Sequence, residues 1–161
     1  MNERIKGKTI AVTGASGGLG MEIARQAAKN GANLVLMARS YDKLAALRDE
    51  LMTKYSIKAH VYSLDVSKRE KIEETFKKIK QEVGPIDILV NNAGFGVFDT
   101  VLEMDLDEAE GMIETNVLGL ITCTKLVLPD MVSRRSGHII NIASQAGKMA
   151  TPKSSVYSAT K

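Results

Sequence analysis

Tyr157 and Lys161 stand four residues apart in YSATK, and Ser144 lies thirteen residues before the tyrosine in NIASQAG. On a helix, positions four apart share a face. A phenol with an ordinary pKa near ~10 is a poor acid–base catalyst at neutral pH. A neighbouring ammonium favours the phenolate and can draw that pKa down by ~1–3. A hydroxyl at Ser144 would bind a carbonyl oxygen while Tyr157 hands it a proton, which is general acid catalysis of a carbonyl reduction. A lone Y-x-x-x-K arises often by chance on helices, so its weight depends on what surrounds it.

A second group of residues suits a dinucleotide. TGASGGLG, residues 13–20, carries four glycines, three of them, Gly14, Gly18 and Gly20, spaced G-x-x-x-G-x-G. Gly14 can take backbone angles closed to other residues. Gly18 and Gly20 let turn and helix pack closely, and Ser16 and Leu19 complete the expected contacts. Free N–H groups at a helix start, with the positive end of its dipole, suit a pyrophosphate. A tight strand–helix turn with no ligand is the bland alternative. GKT at 7–9 is not a nucleoside triphosphate loop, because the glycine required five residues earlier is Asn2.

An acid about 20 residues past the turn ordinarily holds the ribose 2′-hydroxyl of NAD. Here stand Ala38 and Arg39. The guanidinium is a planar fork suited to a 2′-phosphate. NADP (NADPH) is therefore expected, with NAD the second choice. Asp65 could accept from an adenine amino group with Val66 against the ring, although a plain acid at a helix start explains Asp65 nearly as well. In NNAG, 91–94, Asn91 and Asn92 offer amides that can stitch strands together, while Ala93 and Gly94 leave room for a ribose.

Short apolar runs must position these residues. KTIAVTG (8–14), NLVLMA (33–38), AHVYSL (59–64), DILVNN (87–92) and HIINIA (138–143) read as buried strands. They are continuously apolar, which suits parallel strands covered on both faces. Helical patterns fill the gaps: Leu19 to Lys29, the Leu44–Leu47–Leu51 face, and Ile72–Phe76–Ile79–Val83 after a Ser67/Glu70 capping box. A fourth helical stretch spans about 106–134, with Pro129 expected to bend or end it. The alternation βαβαβαβαβ predicts an α/β fold, a doubly wound parallel sheet with the ligand at the carboxyl ends of its strands.

Composition removes other functions. With 22 basic and 19 acidic residues the net charge is +3, too balanced for a nucleic-acid binder. KKIKQ at 77–81 and Arg134–Arg135 read as solvated helix faces. One cysteine, Cys123, excludes a disulfide framework within the chain and reads as a small core residue. The two histidines have no ligand cluster beside them, so no metal site is expected. No secretory signal and no membrane span are expected either, and a reducing, cytoplasmic setting follows as the expectation.

TGASGGLG, NNAG, Asn116 in TNVLG, Ser144 in NIAS and YSATK together resemble the short-chain dehydrogenase/reductase (SDR) family, over the whole chain and in the family's order. The resemblance implies an NADP(H)-dependent oxidoreductase that interconverts a carbonyl and an alcohol on a small-molecule substrate. Tyr157 would be the acid/base, Lys161 would lower its pKa and hold the nicotinamide ribose, and Ser144 would orient the carbonyl. Asn116 would hold a water linking Lys161 to solvent. Without the resemblance it reads as a polar residue inside a helix. Family members continue past the lysine with the rest of a helix, two more strands and a mobile loop. The expectation is thus a single domain over 1–161, the N-terminal part of an SDR catalytic domain. It would be inactive alone and a homo-oligomer when full length. A dinucleotide-binding module without catalysis, a sugar-nucleotide epimerase or dehydratase, and a fragment without a ligand remain as alternatives.

Overall fold

The computed structural model describes residues 4–161. Five parallel strands, β1 (Thr9–Thr13), β2 (Asn33–Ala38), β3 (Ala59–Ser63), β4 (Ile88–Asn91) and β5 (His138–Asn141), form one sheet in the order β3-β2-β1-β4-β5. Thr13 pairs with Met37, Val12 with Val90, and Asn91 with Asn141. The chain steps outward from β1 to β3, then returns to the other side of β1. The switch point therefore lies between β1 and β4, and a crevice opens at their carboxyl ends.

Alternating strand residues feed two cores. Val12, Leu34 and Leu36 pack with Ala24 and Ala28 of α1 (Gly18–Lys29) and with Leu44, Leu47 and Leu51 of α2 (Tyr41–Tyr55). Ala11, Val35, Met37 and Leu89 face the opposite way, toward Ile72, Phe76 and Ile79 of α3 (Arg69–Glu82) and Cys123, Val127 and Met131 of α5 (Leu120–Ser133). Continuous apolar runs were the right signal for β1, β2 and β4, whose two faces are both covered. β5 departs from that expectation. It is an edge strand paired only with β4, and its Ile140 is 47% exposed.

Three local expectations need correction. Ser67 does not cap α3. The helix begins one residue later than the capping box requires: the cap position is Lys68, which makes no side-chain cap bond, and Ser67 stands in the turn before it, donating its N–H at 3.0 Å and its hydroxyl at 2.9 Å to Asp65. Pro129 does not end its helix. α4 (Leu106–Ile113), a π-helical segment (Glu114–Gly119) and α5 run on as one helix, with Pro129 inside it. The proline removes one intrahelical N–H, but buried Val127 and Met131 hold the backbone against the sheet on either side of it. That helix, Leu106–Ser133, has 28 residues and is long and apolar enough by length and composition to cross a membrane. The expectation that no segment reaches this threshold is therefore wrong. Here one face of the helix, through Met112, Cys123, Val127 and Met131, is buried in the fold.

Cys123 is buried, and burial pushes its thiol up to about 12. Only the thiolate is a nucleophile, so the folded chain should resist iodoacetamide at neutral pH and react on unfolding, as mass spectrometry would read. Fast labelling of the folded chain would place Cys123 outside the core.

Candidate active site

The glycine turn between β1 and α1 is backed by the end of β4. Gly14 has φ 68°, in the left-handed region that glycine tolerates. A Cβ there would stand 2.9 Å from Ala93 Cα and from Asn92 Nδ2. A side chain on Gly20 would collide with the Gly14 carbonyl and the same amide. That Asn92 amide donates to the carbonyls of Thr13 at 2.9 Å and Gly14 at 3.2 Å. Thr13 completes the joint. Its buried hydroxyl accepts from the N–H groups of Asn92 and Ala93, both at 3.0 Å, and donates to the Val90 carbonyl at 3.4 Å. Sequence reasoning missed Thr13. The available signal was a hydroxyl on the last strand residue before a glycine turn, where backbone groups of a neighbouring strand end need partners. Asn91 fixes the next joint, donating to Asn141 at 2.9 Å and to the Thr124 hydroxyl at 3.0 Å.

A cleft of about 440 Å³ runs along the carboxyl ends of the strands. Gly14, Ser16, Arg39, Asp65, Val66, Ala93 and Gly94 line it. Gly20 and Asn92 pack behind the turn rather than on the lining, and Gly18 and Leu19 are exposed at the start of α1. Arg39 is exposed just beyond β2, in the segment that follows Ala38. The Asp65 carboxylate accepts from the Ser67 N–H at 3.0 Å as well as from its hydroxyl. Burial pushes the Asp65 pKa up. The two Ser67 bonds, with the charges of Arg39 and Lys68, outweigh burial and hold it below the usual value.

The proton-transfer candidates sit beside this cleft. Tyr157 lies on the short helix α6 (Ser155–Thr160), followed at once by Lys161. Asn116, 3% exposed, occupies the π-helical segment. A carboxamide so buried must be bonded. It accepts from the Phe95 N–H at 3.0 Å and donates to the Phe95 carbonyl at 2.8 Å and the Thr160 hydroxyl at 2.9 Å. Thr160 in turn donates to the Tyr157 carbonyl at 2.7 Å. Asn116 thus ties the segment after NNAG to the helix that carries Tyr157, a link no sequence signal announced.

Lys161 Nζ donates to the Ile142 carbonyl at 3.1 Å. A Cβ on Gly94 would lie 2.9 Å from Asn116 Oδ1 and 3.1 Å from Lys161 Nζ, so the cleft and these residues meet at Gly94. Ser144 begins a 3-10 turn (Gln145–Gly147), and its hydroxyl accepts from the Ala146 N–H at 3.2 Å. Among the described residues the Tyr157 hydroxyl, the Ser144 hydroxyl and the Lys161 ammonium share no hydrogen bond with one another. No cluster of metal-ligating side chains occurs among the described residues.

A parallel sheet with a glycine-turn cleft at its switch point defines a dinucleotide-binding fold of the Rossmann type. The chain belongs to the short chain dehydrogenase family, whose model matches residues 8–161. It is 39% identical over 160 residues to an NADP-dependent 3-hydroxy acid dehydrogenase of Schizosaccharomyces pombe, covering 98% of this chain and 62% of that one. An alcohol dehydrogenase from Thermococcus sibiricus, solved with 5-hydroxy-NADP, superposes with TM-score 0.93 at 36% identity, over 96% of this chain and 66% of that one. An NAD+-bound xylitol dehydrogenase superposes with TM-score 0.92 at 29% identity, over 99% and 61%. The chain spans 54–67% of the length of the first three curated relatives it matches.

Proposed function

We propose that the whole protein is an NADP(H)-dependent oxidoreductase interconverting a carbonyl and an alcohol, with Tyr157 as its acid/base. One observation carries the reading. Gly94 lines the nucleotide-sized cleft, and its missing side chain is the space that separates the cleft from Lys161 and Asn116. A site for a dinucleotide and a site for moving a proton are therefore one site.

The lining fits the cofactor. Gly14 and Gly20 seat the turn against the end of β4, and open space lies beside Gly17 and Gly18, so backbone N–H groups at the start of α1 can approach a pyrophosphate. Arg39 would take the 2′-phosphate, and Asp65 with Val66 the adenine. When bound, NADPH supplies the hydride that reduces the carbonyl carbon. Tyr157 gives its Oη proton to the carbonyl oxygen, Ser144 donates a hydrogen bond to the same oxygen, and C=O becomes CH–OH. Lys161 would leave the Ile142 carbonyl to hold the ribose and keep a positive charge beside the phenol. Asn116, anchored on Phe95 and Thr160, would keep the proton route to solvent in place. Loss of NADPH absorbance with a panel of aldehydes and ketones tests the reaction. Failure to consume NADPH with every carbonyl offered would reject it.

Cofactor choice has its own test on the chain itself. The chain has no tryptophan, so NADPH emission can be followed without interference. A hydrogen bond to a charged group is worth about 1.5–3 kcal/mol. Arg39→Ala should therefore weaken NADPH binding roughly 10- to 100-fold and leave NADH binding unchanged. Equal affinity of the parent chain for NADPH and NADH would remove the phosphate role of Arg39.

A further inference from the structure

The Tyr157 ring lies against Gly96. A Cβ built on Gly96 would stand 2.7 Å from Tyr157 Cδ2 and 3.0 Å from both Cε2 and Cγ. Real Cβ atoms do not approach a ring so closely, so any side chain at 96 must displace the ring, its helix or the loop. Gly96 is not among the glycines with positive φ. An alanine there would meet no backbone strain, and the ring is what excludes it. On the same segment, Phe98 holds its ring 5.4 Å from the Tyr157 ring, at an interplanar angle of 58°. That is an attractive tilted contact between aromatic rings. Phe95, at the head of the segment, is pinned to Asn116 through both its N–H and its carbonyl. The segment 95–98 is therefore anchored at one end and lies against the phenol at positions 96 and 98.

We infer that Gly96 is a positioning residue for the Tyr157 phenol: its lack of a side chain lets the ring seat where proton transfer requires it, with Phe98 beside it. The inference rests on the proposed role of Tyr157 as proton donor. Nothing in it depends on the glycine turn.

The test uses Gly96→Ala and the larger Gly96→Val in the whole protein, with Tyr157→Phe beside them. A reacting group misplaced by an ångström can cost on the order of 100-fold. Gly96→Ala should lower kcat about 10- to 100-fold, and Gly96→Val should lower it further. The dissociation constant for NADPH should stay at its parent value, and any fall in melting temperature should be small, because the half-buried Tyr157 ring can yield. The solvent deuterium isotope effect on kcat should rise, as proton transfer becomes the slow step. A readout free of activity goes with these. In protein labelled at its tyrosines, the ring signals of Tyr157 should move in Gly96→Ala, while those of Tyr41, Tyr55 and Tyr62 stay in place.

Three results would overturn the inference. One is a Gly96→Ala enzyme with parental kcat and isotope effect beside an inactive Tyr157→Phe enzyme. Another is a fall in kcat that tracks loss of NADPH binding or of folded protein, which would make Gly96 merely structural. The third is an unmoved Tyr157 signal. An active Tyr157→Phe enzyme is a different outcome, because it defeats the proposed function and the role given to Gly96 falls with it.

Discussion

Replacing Tyr157 with phenylalanine should lower kcat of the whole protein by about 10²- to 10⁴-fold, the range a positioned acid–base group supplies. The substitution removes one oxygen and keeps the ring. Phe98 at 5.4 Å and the vacant position on Gly96 should hold a phenylalanine ring much as they hold the tyrosine. The bond from Thr160 goes to the Tyr157 backbone carbonyl, so it also survives. Melting temperature and NADPH affinity should therefore change little while the chemical step fails, the pattern of an interaction made only in the transition state. Steady-state kinetics with parallel NADPH titration separates these quantities. A Phe variant that keeps its rate would assign the proton to another group.

The second large effect is expected at Gly20, where two rules conflict. Gly20 sits in α1, and glycine to alanine in a helix interior ordinarily gains about 1 kcal/mol. At this position the new methyl group would strike the Gly14 carbonyl and the Asn92 amide. Both are held, since Asn92 Nδ2 donates to the Thr13 and Gly14 carbonyls. Forcing a methyl group into a closed site costs about 1–3 kcal/mol. Collision should win, so Gly20→Ala should be less stable than the parent in a denaturant titration. It should also bind NADPH poorly, because the turn that must meet the pyrophosphate has been pushed apart. Unchanged stability and affinity would show that the turn is looser than its geometry implies.

How far the sequence could be read depended on whether a signal was local. The strands were legible because their buried faces demand continuous apolar runs, and NLVLMA at 33–38 coincides with β2. The leucine face of α2 and the apolar stripe of α3 were legible for the same reason, since helical spacing survives in the residues themselves. The glycine turn was legible because few residues tolerate the backbone of Gly14. Misreadings occurred where two local rules competed. Ser67 had the spacing of a helix cap, but its N–H and hydroxyl both bond to Asp65 in the turn before the helix, and the cap position falls on Lys68. Pro129 was expected to bend or end its helix, and it does not end it, because its neighbours Val127 and Met131 pack against the sheet on either side.

Other features depend on residues far apart in the chain, and no spacing encodes them. Thr13 earns its place through N–H groups 79 and 80 residues away. Asn116 joins two elements that lie 21 and 44 residues from it. Nothing in the spacing of Gly96 announces that the Tyr157 ring lies against it. The exposure of β5 is of this kind too. Its sequence, HIIN, suits a covered strand, but whether anything covers it is decided elsewhere.

A crystal structure of the chain grown with NADPH is the most direct measurement of whether one cleft joins cofactor and proton donor. The expected result has the pyrophosphate against the turn from Gly14 to Gly20, the 2′-phosphate on Arg39, and the nicotinamide beyond Gly94 beside the Tyr157 hydroxyl and Lys161. A nucleotide bound elsewhere, or a nicotinamide turned away from Tyr157, would contradict it.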